Sequence, residues 1–132
     1  MSKNKYLDMD ITNLPTPAFI VDERLLKRNL ETLKSVIDRT GCKILLAQKG
    51  FSMFYFYPLI SEYLNGTTAS SLFEARLGYE EMELKNPNKK LETHIFNPSY
   101  REDEFDEIME ITNHIVFNSF NPVSYTHLTL PT

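Results

Sequence analysis

Two periodicities alternate along this chain. Between Glu23 and Thr40, Leu26, Leu30, Leu33 and Ile37 recur at helical spacing, with Leu25 and Val36 beside them. Asp22 ahead of them can accept from the first free N–H groups, and Gly41 behind them suits a left-handed cap, so the spacing predicts a helix over 23–40. The run from Lys43 to Gln48 is apolar at its centre without alternation, the pattern of a parallel-sheet strand covered on both faces. In "FSMFYFYPLISEYL" a helix is predicted from Pro58 onward, because proline suits a first turn. Gly66 interrupts it and "GTTAS" predicts a short strand. "SLFEARLGYEEM" returns to helical spacing through Leu72, Ala75, Tyr79 and Met82, and "NPNKK" reads as a turn. "THIFN" predicts a strand, Pro98 opens a helix with Phe105, Ile108, Met109 and Thr112 on one face, and "HIVFN" predicts the next strand. Near the amino terminus Pro15 and Pro17 keep the chain extended, and Ala18 to Val21 predict a further short strand.

Strand and helix therefore alternate throughout, which argues for an α/β fold with right-handed parallel crossovers. Spacing alone leaves open whether the sheet closes into a barrel. The 132 residues amount to about one small domain. At 42% hydrophobic and 24% charged, with a net charge of −4, the chain is globular in composition. It offers no basic field for nucleic acid or an anionic membrane. No apolar run approaches the roughly 20 residues that span a bilayer, and "MSKNKYLDMDITN" lacks the apolar core of a signal peptide. The single cysteine, Cys42, excludes an internal disulfide and any CxxC site and reads as a small packing residue; the expected compartment is the cytosol.

Chemistry concentrates at Lys49, which follows the apolar run and precedes Gly50. A lysine there is ordinarily a solvated strand boundary. At the carboxyl end of a parallel strand, however, active sites gather, and a partly desolvated lysine can form a Schiff base with a carbonyl. Ser70, Asn97 and Asn118 end the next three predicted strands and are candidates for the same mouth, with capping of the following turns as the alternative. His94 and His114 fall at strand beginnings, where a packing role is expected, and no metal site is expected. Glu74 and Arg76 sit on a helix, where pairing or exposure suffices. The carboxylates Glu102 to Asp106 complement a helix dipole without any ligand.

The blocks "LPTPAFIVDERLLKRNLETL", "GCKILLAQKGFS", "GTTASSLFEARLG", "NPSYREDEFDEI" and "HIVFNS" together resemble the carboxynorspermidine/carboxyspermidine decarboxylases. These belong to the fold type III, alanine racemase-like group of pyridoxal-phosphate enzymes. The likeness runs from about Asn13 to Asn121, with Gln48 and Gly50 departing from the leucine and alanine expected beside the lysine. It implies the N-terminal part of a (β/α)8 barrel, truncated, with the first strand belonging to a missing second β domain. It further implies pyridoxal 5'-phosphate held by Lys49 as a covalent imine, Ser70, Asn97 and Asn118 as weaker cofactor-binding candidates, and a carboxylated polyamine as substrate in polyamine biosynthesis. A cytoplasmic homodimer is implied for the full-length parent. The phosphate loop, the ring-stacking histidine and the dimer-contributed residues are expected beyond this chain, so the fragment itself is expected to be inactive. Ornithine, arginine or diaminopimelate decarboxylation, a non-catalytic pyridoxal-phosphate barrel, and a cofactor-free α/β interaction module remain open on these residues.

The expected organisation is a leader and β-domain strand over 1–22, a partial barrel over 23–121 and an artefactual tail over 122–132. "VSYTHLTLPT" resembles one translated frame of a transposon-end sequencing adapter, which would keep His127 out of any site.

Overall fold

The structure, a computed structural model, describes residues 12–118. The reading of 122–132 as an appended tail lies outside these residues. Helix α1 spans Glu23–Thr40 with the bounds its periodicity predicts. Asp22 Oδ1 accepts from the backbone N–H of Arg24 at 2.9 Å and of Leu25 at 3.4 Å. At the other end Gly41 takes φ 70° and donates its N–H to Ile37 O at 2.8 Å. The chain continues through β1 (Leu46–Ala47), a 3₁₀ turn (Phe54–Phe56), α2 (Tyr57–Ile60), β2 (Gly66–Ala69), and α3 (Leu72–Gly78), which runs into a π turn (Tyr79–Glu83). Strand β3 (Glu92–Phe96), α4 (Glu102–Ile111) and β4 (His114–Val116) complete it.

All neighbouring strands pair in parallel and in sequential order, β1-β2-β3-β4. The order never reverses, as it would at the switch point of a doubly wound sheet; successive right-handed crossovers then keep every helix on one face. That is the topology of a barrel segment. It settles what periodicity left open.

Strand parity divides the side chains. Thr67, Ala69, Thr93 and Ile95 turn toward the helices and are buried. Ala69, Leu72, Ala75, Ile95 and Ile108 form one core between α3, α4 and the sheet, and Leu30, Phe56, Tyr57, Ile60, Leu64, Met82 and Leu91 form another beneath α1 and α2. The register Ala47–Thr68–His94–His114 runs across the opposite face, where the described residues provide no cover. The expectation of a β1 buried on both faces is therefore corrected: helices protect only one side, and Ala47 is exposed on the other.

Two asparagines that the periodicity did not mark fasten the amino-terminal edge of the sheet. Asn65 donates its N–H to Ile44 O at 2.9 Å while its Oδ1 accepts from Ile44 N at 3.0 Å. Asn113 does the same to Thr93, at 2.8 and 2.6 Å. Each side chain supplies an acceptor at a point where the ladder begins, so the strand-start N–H is not left unpaired. Gly66 follows Asn65 with φ 141°, and a Cβ there would overlap the backbone of Glu92. Close approach of β2 to β3 requires its absence.

Three further expectations are corrected. Residues 18–21 form no strand: Phe19 is 98% exposed and finds no ladder partner among the described residues. With no neighbouring strand to pair with, the backbone of this exposed segment is left to solvent and no ladder forms. Helix α2 ends at Ile60, because the N–H groups of Tyr63 and Leu64 both turn back to Ile60 O and bring the chain round to Asn65 in time to pair with Ile44. Cys42 is exposed, lying between the Gly41 cap and the start of the ladder, where nothing packs over it.

Candidate active site

The parallel arrangement brings the carboxyl ends of four strands to one edge. Strand β1 gives way there to a tight turn in which Gly50 and Phe51 donate N–H groups to Ala47 O at 2.9 and 3.2 Å. Lys49 lies in this turn and is exposed. Its ammonium has no hydrogen-bond or ion-pair partner among the described residues. Gly50 leaves the adjacent space open, since a Cβ there would meet only Ala47 O at 3.4 Å.

The turn is anchored from beneath by Gln48, which is 1% exposed. Its Nε2 donates to Glu74 O on α3 at 2.8 Å, and its Oε1 accepts from Tyr57 Oη at 3.0 Å. A buried amide is costly unless paired, and here both ends are used. The sequence marked Gln48 only as a departure from an expected leucine. Its function as a latch depends on Tyr57 and Glu74, nine and twenty-six residues away. Burial pushes the Tyr57 hydroxyl up to about 12, with a further contribution from the Glu74 carboxylate.

Ser70 directly follows β2, and the register continued past Ala69–Ile95 brings it level with Phe96 and Val116, while Lys49 lies in the turn that follows β1 at the same carboxyl edge. Ser70 is exposed, and its backbone N–H donates to Glu74 Oε2 at 2.7 Å, while Ser71 Oγ accepts from Glu74 N at 3.4 Å. Glu74 thus closes the start of α3. Asn97 has the parity of Ile95 and turns away from this row; its Oδ1 accepts from Ser99 N at 3.2 Å, capping the loop. Asn118 is exposed just beyond β4. Lys49 and Ser70 therefore lie at the same carboxyl edge, whereas Asn97 serves its own turn.

Tyr100, which the sequence reading did not single out, locks this edge. Its hydroxyl lies 2.8 Å from Val116 O and 3.3 Å from Ile95 O, and it accepts from Asn97 N at 3.1 Å. The aromatic ring stands edge-on to Phe105 and Phe117. Desolvation raises its pKa. Arg76 leaves the site altogether and pairs with Glu107 of α4, its Nη2 2.6 Å from Glu107 Oε2. The carboxylates Glu102, Asp103 and Glu104 occupy the first turn of α4, where the helix dipole favours them.

No protein-family model matches the sequence. Individual proteins do. A carboxynorspermidine/carboxyspermidine decarboxylase of Campylobacter jejuni is 42% identical over 106 residues, which is 80% of this chain and 26% of that protein. A carboxyaminopropylagmatine decarboxylase of Synechocystis is 37% identical over 109 residues, 83% of this chain and 26% of its own length. A carboxynorspermidine/carboxyspermidine decarboxylase of Herminiimonas arsenicoxydans is 34% identical over 108 residues, 82% of this chain and 28% of its own. The crystal structure of carboxynorspermidine decarboxylase complexed with norspermidine from Campylobacter jejuni superposes with a TM-score of 0.76 at 39% identity, over 85% of this chain and 29% of that one. The chain spans about a quarter of the length of the curated relatives it matches. In sequence and in fold, it is similar to the carboxynorspermidine/carboxyspermidine decarboxylases and corresponds to a part of such a protein.

Proposed function

We propose that this chain is the cofactor-anchoring part of a pyridoxal-phosphate-dependent carboxy-lyase that converts carboxynorspermidine or carboxyspermidine to norspermidine or spermidine in polyamine biosynthesis. The observation that carries it is the combined sequence and structural similarity to enzymes named for that substrate, centred on a parallel-barrel edge with an accessible lysine.

Lys49 suits the cofactor's aldehyde: the amine is exposed, unpaired among the described residues and set beside a glycine that leaves its approach clear. When bound, pyridoxal phosphate supplies an electron sink for the pair released as carbon dioxide departs. Gln48 fixes the turn from below, so that Lys49 is presented from a rigid base. Ser70 and Asn118 offer exposed polar groups near the same edge, whereas Asn97 has its side-chain oxygen committed to Ser99. In this reading residues 23–121 form part of the barrel, 1–22 contribute to a second β domain, and the complete protein is a cytosolic homodimer.

The test uses the complete reading frame that contains this sequence. After incubation with pyridoxal phosphate and borohydride reduction, peptide mapping is expected to find the phosphopyridoxyl group on Lys49. Labelling of a different lysine alone would overturn the assignment. Turnover of carboxynorspermidine well above that of ornithine, arginine or diaminopimelate is expected. The Synechocystis relative supports a second reading, carboxyaminopropylagmatine as substrate, which the same assay separates.

A further inference from the structure

Glu92, His94 and His114 converge on the uncovered face of the sheet, toward its amino-terminal end. Glu92 and His94 stand two apart on β3, so both side chains project from the same face. His114 is the register partner of His94 on β4, which sets the two imidazoles side by side with centroids 4.2 Å apart. Both Nε2 atoms turn to one oxygen: Glu92 Oε2 lies 2.8 Å from that of His94 and 3.7 Å from that of His114. One donor atom from each residue falls within 4.8 Å of the other two. We propose that Glu92, His94 and His114 form a binding site for a divalent transition-metal ion of the zinc or cobalt class.

The geometry suits such an ion. Tetrahedral bonds of about 2.0–2.1 Å place neighbouring donors roughly 3.3 Å apart, and the two measured separations bracket that value. Two neutral imidazoles and a carboxylate are a borderline-soft donor set that favours zinc-like ions over calcium or magnesium. The other carboxylate oxygen, Oε1, is held by the Lys43 ammonium, which orients the group and leaves Oε2 for the ion. The side chains of Glu92, His94 and His114 are 18%, 26% and 58% exposed, so an ion can enter from solvent and keep water at its fourth position. The sequence reading assigned both histidines to packing because each falls at the beginning of a predicted strand; strand register is what unites them. The site lies below the carboxyl edge that carries Lys49, with His94 and His114 in the register row of Ala47, and its test involves no pyridoxal phosphate, so its outcome is independent of the proposed activity.

The untagged full chain, stripped of metal and kept dilute, is titrated with Co²⁺. One equivalent is expected to bind, with the visible absorption of a four- or five-coordinate centre, and Zn²⁺ is expected to displace it. His94→Ala and His114→Ala are each expected to abolish the band while far-UV circular dichroism stays unchanged, and His127→Ala to leave it intact. A wild-type chain that retains no Co²⁺ at equilibrium dialysis overturns the proposal without recourse to any variant. So does a band that survives in folded His94→Ala and His114→Ala.

Discussion

Gly78→Ala probes the contact on which the packing of α3 against the sheet rests. A Cβ at position 78 would overlap Thr67 Oγ1 outright and stand 3.0 Å from Gln48 Nε2 and 3.1 Å from Thr67 Cβ. Two opposing effects decide the outcome. Alanine gains about 1 kcal/mol over glycine within a helix. Overpacking a close-packed contact costs about 1–3 kcal/mol, and this case belongs near the upper end. Thr67 is branched at Cβ, 1% exposed and set in an interior strand, so rotating Oγ1 away brings the methyl group toward the same space. The net expectation is a loss of about 1–2 kcal/mol, a fall in Tm of roughly 3–5 °C for each kcal/mol in a domain of this size. Thermal melts in dilute solution, followed by far-UV circular dichroism, measure it. Thr67 Oγ1 is buried without a hydrogen-bond partner among the described residues, so Thr67→Ala removes the obstruction and an unsatisfied oxygen together. In that background Gly78→Ala is expected to lose most of its cost. A neutral or stabilising Gly78→Ala, or strictly additive effects in the double mutant, would show that the contact does not govern this interface.

Gln48→Leu strands the Tyr57 hydroxyl and the Glu74 carbonyl in the interior, so a destabilisation of about 1–3 kcal/mol by urea unfolding is expected, with Tyr57→Phe recovering part of it in the same background. Because the Tyr57 pKa is raised to about 12, the folded state keeps a proton that the unfolded chain releases near 10. Stability from this group is therefore full below pH 10 and lost as pH climbs toward 12. Spectrophotometric titration is expected to show late tyrosine absorbance, of which the latest part is lost in Tyr57→Phe while Tyr100 still titrates late; a titration unaltered by that substitution would refute it. The 132 residues alone are expected to release no carbon dioxide from carboxynorspermidine and to self-associate with rising concentration, since β1 and β4 both present edges without a partner strand among the described residues. A monodisperse monomer by light scattering, or measurable turnover, would count against this.

Local patterning carried much of the fold. The leucine spacing together with Asp22 and Gly41 determined α1 to the residue, because capping and amphipathic periodicity are both written within a few positions of each other. The alternation of elements determined the α/β class, and the blocks around Lys49 determined the resemblance that the relatives bear out. Tertiary structure decided what depends on partners distant in sequence. Sequential strand order, which distinguishes a barrel segment from a doubly wound sheet, is a property of which strands meet. The two asparagine clasps, the Gln48–Tyr57–Glu74 latch, the Tyr100–Val116 lock and the meeting of His114 with Glu92 and His94 all join residues on different elements, at separations that no helical or strand period predicts. A hydrogen bond or a shared ligand acts over a few ångströms of space. The chain records only the residues available for it, and the fold chooses which of them meet.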